Sequence, residues 1–126
     1  MAKFGMDGEI LPSSSPSKGT HSTMSFAQAL QDATAIAMRK NSNVILLGEG
    51  VTDSGAVFGS TSHLLEEFGS ERVIETPLSE SAITGICTGA ALAGLRPILV
   101  HQRIDFALLG MDQLVNHAAK WSYMYA

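Results

Sequence analysis

Three short polar segments follow apolar runs in this sequence, and their residue types could bind or act on a ligand. These segments are Gly48–Gly50, Thr76–Glu80 and His101–Phe106. Each follows a run of aliphatic residues that predicts a strand. Ligands of open α/β sheets bind beyond the carboxyl ends of the strands, so these segments are candidates for building a site.

The segment Thr76–Glu80 is the most informative of the three. Pro77 ends the preceding strand, Ser79 can cap a helix, and Glu80 then falls in the first helical turn. The helix dipole stabilises a carboxylate there by about 0.3–1 kcal/mol. The position alone leaves two interpretations, a carboxylate that helps to start the helix or one that faces a ligand.

Familiar cofactor and metal motifs are missing from the sequence. The segment Gly48–Gly50 has neither the GxGxxG spacing of a dinucleotide site nor the pattern of a P-loop. No two histidines have the spacing of three to five residues that is typical of a zinc site. The single cysteine, Cys87, lies among apolar residues and is expected to be a buried, inert thiol. We therefore predict no metal ligands and no internal disulfide.

The elements that must position the polar segments alternate between helical and strand patterns. Alternation with short links predicts an α/β fold, with a parallel sheet flanked by helices. The predicted helices span 25–40, 63–68, 79–93 and 108–123, and the predicted strands span 44–47, 72–76 and 98–100.

The helix after Glu80 carries two interior glycines, Gly85 and Gly89, four residues apart on one face. A glycine inside a helix costs about 1 kcal/mol relative to alanine. The pair predicts a close helix–helix contact, either inside the domain or between chains. The alternative is that both glycines face the sheet.

Length and charge limit the class of protein. The chain has 126 residues and a formal net charge of −4, which argues against nucleic acid and anionic membranes as partners. Residues 1–23 are rich in Ser and Pro and are expected to form a disordered extension without a signal peptide. The remainder, 24–126, is expected to be one domain. The single cysteine favours a reducing, cytoplasmic location.

Taken together, the motifs resemble a known family. The β subunits of 2-oxo acid dehydrogenase E1 enzymes, which depend on thiamine diphosphate, carry similar strings in the same order, and the resemblance covers about residues 24–124. The matching strings here are Gly48-Glu49, Phe58-Gly59, Leu64–Val73, Thr76–Glu80, Gly89–Pro97 and Met111–Lys120.

The resemblance implies the N-terminal part of a transketolase-like pyrimidine-binding domain. Glu80 matches the glutamate that contacts N1′ of the cofactor's aminopyrimidine, and Phe106 matches the aromatic residue on which that ring stacks. Glu49 matches an acid at the subunit interface that is proposed to relay protons between two active sites. The implied catalytic residues are Glu80 and Glu49, and the implied cofactor-binding residues are Glu80 and Phe106.

The resemblance also implies partners and a reaction. The expected partner is an E1 α-like subunit that binds Mg²⁺ and the diphosphate, in a hetero-oligomer or homo-oligomer built through helix packing. The expected reaction is oxidative decarboxylation of a 2-oxo acid. The family's β subunits are longer and continue into a second domain, so we expect no activity from this chain alone. The alternatives are a non-catalytic assembly module, a fragment, or a two-gene transketolase-like enzyme that acts on sugar phosphates.

Overall fold

A computed structural model describes residues 23–53, 55 and 57–125. Apart from Thr23, the extension predicted for residues 1–23 lies outside the described residues. None of the described helices combines the length and the apolar character needed to cross a membrane. The helices are α1 Phe26–Lys40, α2 Leu64–Phe68, α3 Glu80–Leu92 and α4 Ala119–Tyr125, and the strands are β1 Val44–Gly48, β2 Val73–Glu75 and β3 Arg96–Val100.

Helix α1 begins at a capping box formed by Ser25 and Gln28. The Gln28 backbone N–H donates to the Ser25 hydroxyl at 3.2 Å, and the Ser25 N–H donates back to the Gln28 side chain at 2.8 Å. These bonds satisfy backbone donors that the first turn leaves without helical partners. The helix ends at Asn41, directly after Arg39 and Lys40, whose charges suit the negative end of the dipole.

The strands form one parallel sheet in the order β2-β1-β3, which confirms the predicted parallel sheet. All five residues of the central strand β1 are buried, because its two faces are covered by different helices. On one face, Leu46 packs with Met38 of α1 and Leu64 of α2. On the other face, Ile45 and Leu47 pack with Cys87 of α3.

Cys87 is buried and unpaired, as predicted. Burial raises the pKa of its thiol, which disfavours the reactive thiolate. The residue is part of the core rather than of a reactive site.

Strand β3 is longer than predicted. It begins at Arg96, and Pro97, which was expected to precede the strand, lies inside it opposite Ile45. The Arg96 N–H donates to the Asn43 carbonyl at 2.8 Å, on the side of β1. Successive residues of a strand direct their backbone groups to opposite sides, so the Pro97 nitrogen faces away from β1, where no strand of the described residues pairs. A proline is tolerated there because no ladder hydrogen bond is lost.

The helix predicted for 108–123 is helical throughout, but its geometry is not uniform. Chain 104–125 instead contains the 3₁₀ segment Ile104–Gly110, the π-helical segment Gln113–Ala118 and then α4. Gly110 is buried against Thr84 of α3, whereas Leu114 and Val115 are exposed. The segment contacts α3 at two places, where Gly110 meets Thr84 and where Gln113 meets Gly85.

The two glycines of α3 have different surroundings. A Cβ added to Gly85 would lie 3.1 Å from the Gln113 side-chain oxygen, so this glycine allows the π-helical segment to approach closely. A Cβ added to Gly89 would meet no described atom within 4 Å. The predicted helix contact inside the domain is confirmed at Gly85, and Gly89 takes no part in it.

Candidate functional site at the carboxyl edge of the sheet

The carboxyl ends of the three strands lie side by side. Gly48, the last residue of β1, is opposite Glu75 of β2 and Val100 of β3. A Cβ on Gly48 would lie 2.5 Å from the Val100 carbonyl oxygen and 2.9 Å from a methyl group of Val51. Only glycine permits this close approach, which brings the three predicted polar segments to the same edge.

Glu75 organises the loop after β1, a role that its sequence position does not indicate. Its carboxylate accepts hydrogen bonds from the Gly50 N–H at 2.6 Å, the Thr52 N–H at 3.1 Å and the Thr52 hydroxyl at 2.9 Å. Partial burial of the Glu75 carboxyl opposes its ionisation, but these hydrogen bonds outweigh that cost and hold its pKa below the usual range.

Glu49 lies in this loop and is half-buried. One of its carboxylate oxygens, Oε1, is buried and has no hydrogen-bond partner among the described residues. The hydroxyl of Thr76, the residue directly after the neighbouring strand β2, is also buried and has no hydrogen-bond partner among the described residues. Buried polar atoms are normally hydrogen-bonded, so both are candidates to meet a ligand or a partner group.

Glu80 is the first residue of α3 and is half-buried. Ser79 occupies the N-cap position, but its side chain makes no capping hydrogen bond, contrary to the expected cap. Within the described chain, the Glu80 carboxylate accepts no hydrogen bond, and its backbone carbonyl accepts one from the Thr84 hydroxyl at 2.7 Å. The carboxylate therefore keeps its acceptor capacity at a place where the helix dipole favours negative charge.

Phe106 lies in the 3₁₀ segment after β3, and 37% of it is exposed. The Arg103 guanidinium lies over its ring, 5.5 Å from the centroid. Arg103 also pairs with Asp105 at 2.8 Å, which orients the guanidinium. The arrangement leaves part of an aromatic surface open for stacking.

A cavity of about 270 Å³ lies between α1 and the strands β1 and β3, where Leu30, Leu46 and His101 are among its lining residues. Glu49, Glu80 and Phe106 do not line it. Among the described residues, no group of three or more His, Cys, Asp or Glu side chains could hold a metal ion.

A three-stranded parallel sheet flanked by helices, with two acids and an aromatic residue beyond its carboxyl edge, defines an α/β domain. The family described as "Transketolase, pyrimidine binding domain" matches residues 22–126. The chain belongs to this family.

Curated relatives carry the names of dehydrogenase subunits. The chain is 43% identical over 102 residues to the pyruvate dehydrogenase E1 component subunit beta of Rhizobium meliloti (strain 1021), a match that covers 81% of this chain and 22% of the relative. It is 45% identical over 102 residues to the 2-oxoisovalerate dehydrogenase subunit beta of Bacillus subtilis (strain 168), covering 81% of this chain and 31% of the relative. It is 39% identical over 103 residues to the mitochondrial pyruvate dehydrogenase E1 component subunit beta of Pisum sativum, covering 82% of this chain and 29% of the relative. The chain thus spans less than a third of the length of these relatives.

Proposed function

We propose that this chain supplies the aminopyrimidine-binding half of a thiamine diphosphate site in a 2-oxo acid dehydrogenase E1 component. The observation that carries the proposal is the Glu80 carboxylate, which lies at the start of α3 without a hydrogen bond from the described residues. The names of the relatives, subunits beta of pyruvate and 2-oxoisovalerate dehydrogenases, support the reaction class.

The residues at the carboxyl edge fit such a cofactor. Glu80 can share a proton with a ring nitrogen, since its carboxylate has acceptor capacity to spare. The partly exposed ring of Phe106 can stack on a flat heterocycle. When bound, thiamine diphosphate supplies the carbon nucleophile and the electron sink for decarboxylation. The chain's own contribution is to bind and orient the pyrimidine and to hold a proton at a Glu80 oxygen.

Glu49 is the second acid of the proposal. Its buried Oε1 atom lacks a partner in the described chain, so a proton or a donor group from outside would relieve the cost of its burial. We assign to it the exchange of protons with the neighbouring subunit. Such a role requires that its loop be held in place.

The surroundings of the site support completion by a partner subunit. Three strongly exposed apolar side chains lie in the segments that follow the three strands. They are Phe58 at 87%, Leu78 at 82% and Ile104 at 85% exposure. Large apolar side chains this exposed are candidates for burial by another chain. The proposed partner is an α-like subunit that binds Mg²⁺ and the diphosphate, and without it the chain is expected to be inactive.

The test is a titration with thiamine diphosphate and Mg²⁺, with and without an E1 α-type subunit. Binding heat is expected only with the partner. In the reconstituted complex, Glu80→Gln is expected to slow exchange of the cofactor C2 proton by about 10²–10⁴-fold, because an amide cannot share a proton. The control is Glu71→Gln, which removes the same charge from an exposed position outside the site.

Equal exchange rates in the Glu80 variant and the control would contradict the assignment of Glu80. No binding under either condition, from a chain that is folded by circular dichroism, would favour the non-catalytic assembly module instead.

A further inference from the structure

The loop after β1 is fastened to the strands on both sides of it. From β2, the Glu75 carboxylate accepts three hydrogen bonds from Gly50 and Thr52, which flank the middle of the loop. Directly after β2, the Thr76 N–H donates to the Gly48 carbonyl at 3.0 Å. On the side of β3, the Gln102 side chain donates to the Glu49 carbonyl at 3.4 Å.

The attachment to Glu75 is the strongest of these. A carboxylate that accepts from N–H groups forms charge-assisted hydrogen bonds, which are roughly twice as strong as neutral ones. Both of its oxygens are used, Oε1 by Gly50 and Oε2 by Thr52. A glutamine in this place would offer one oxygen and would direct an NH₂ group at a backbone donor. The geometry therefore selects a carboxylate.

Glu49 directly precedes the first residue that Glu75 holds. Its backbone is thus fixed on both sides, by Gly48 inside the sheet and by Gly50 at the carboxylate. A fixed backbone limits the directions that its side chain can take, so less conformational entropy is lost when the carboxylate must point in one direction. The buried, unpartnered Oε1 atom of Glu49 is the group whose direction depends on this fixation.

We infer that Glu75 is a positioning residue, which holds the loop Gly50–Thr52 so that the Glu49 carboxylate keeps its direction at the carboxyl edge of the sheet. The inference rests on the proposed function in one respect, namely that Glu49 is the acid whose direction matters. Nothing in the inference gives Glu75 contact with a cofactor or a substrate.

The test uses the full chain without cofactor or partner, so its result is independent of whether thiamine diphosphate binds. Amide hydrogen exchange and the ¹³C shift of the Glu49 side-chain carboxyl are measured at fixed pH. In Glu75→Gln, the Gly50 and Thr52 amides are expected to exchange at least about tenfold faster, while the Leu46 amide in β1 keeps its rate. The Glu49 carboxyl signal is expected to move.

A second variant and a control keep the test decisive. Thr52→Val removes only the hydroxyl donor and leaves the Glu75 charge in place, so it is expected to change the same signals in the same direction by less. Glu71→Gln removes an exposed charge elsewhere and is expected to change none of them. Unchanged exchange at Gly50 and Thr52 would overturn the inference. Faster exchange with an unmoved Glu49 signal would also overturn it, because Glu75 would then brace the loop without positioning the acid.

Discussion

Arg72 is the side chain whose removal is expected to damage the fold most. It directly precedes β2 and donates to the carbonyl oxygens of Met38, Asn41 and Val44 at 2.7, 2.9 and 2.8 Å from Nη2, with a further bond from Nε to Val44 at 3.1 Å. Its guanidinium also lies over the Phe68 ring, 5.1 Å from the centroid. One side chain thus joins the end of α1, the start of β1, α2 and β2.

The expected loss follows from these contacts. A hydrogen bond to a charged group contributes about 1.5–3 kcal/mol net. The protons on Nε and Nη2 are shared among four contacts, and the side chain is half-buried, so we count three bonds at about 1 kcal/mol each. The ring contact adds about 0.5 kcal/mol. Arg72→Ala is therefore expected to lower the free energy of unfolding by about 3–4 kcal/mol, a large share of the usual 5–15 kcal/mol.

Urea denaturation followed by circular dichroism measures this loss, and Arg72→Lys is the matched variant. Lysine keeps the charge, but its single ammonium cannot reach carbonyls that lie in different directions. We expect it to restore about half of the lost stability. A loss below about 1 kcal/mol in Arg72→Ala, or full restoration by lysine, would refute the reasoning, since the carbonyls would then be satisfied without the guanidinium fork.

Two further predictions concern a pair of glycines and an acid. Gly110→Ala places a Cβ against the Thr84 hydroxyl in a buried contact and is expected to destabilise the fold by about 1–3 kcal/mol. Gly89→Ala fills open space on a helix and is expected to stabilise the fold by about 0.5–1 kcal/mol. Equal urea midpoints for the two variants would contradict this prediction. Because folding lowers the pKa of Glu75, its contribution is complete above the unfolded pKa and is lost as pH falls through the folded pKa. Thermal melts over a range of acidic pH are therefore expected to fall less steeply for Glu75→Gln than for wild type, and parallel curves would contradict the hydrogen bonds to the loop.

Features that depend on neighbours along the chain are predicted well by the sequence. The continuous apolar run of β1 predicts burial on both faces, and Ser25 predicts the start of α1. Gly69 and Gly94 mark the ends of α2 and α3, and both adopt the positive φ that favours glycine. Each of these signals acts within a few residues, so it survives the unknown tertiary context.

Features that depend on contacts between distant segments are not predicted. Glu75 and Gly50 are 25 residues apart, and no spacing marks them as partners. The π-helical segment contacts α3 through Gln113 and Gly85, which are 28 residues apart, and no local pattern marks them as neighbours. For the candidate site, the sequence predicts which segments meet at the carboxyl edge. The roles of Glu49, Glu80 and Phe106 stay predictions, because they depend on a ligand and a partner that lie beyond this chain.

The position of Pro97 has a consequence for the solubility of the domain. Its nitrogen faces away from β1, along the side of β3 where the described residues supply no pairing strand. Such edges attract strands of other molecules and promote aggregation. A strand from another molecule that pairs with β3 meets no N–H donor at Pro97, so the hydrogen-bond ladder between the two strands is interrupted near the N-terminal end of β3. The proline thus restricts pairing at this edge to strands whose own pattern tolerates the missing hydrogen bond.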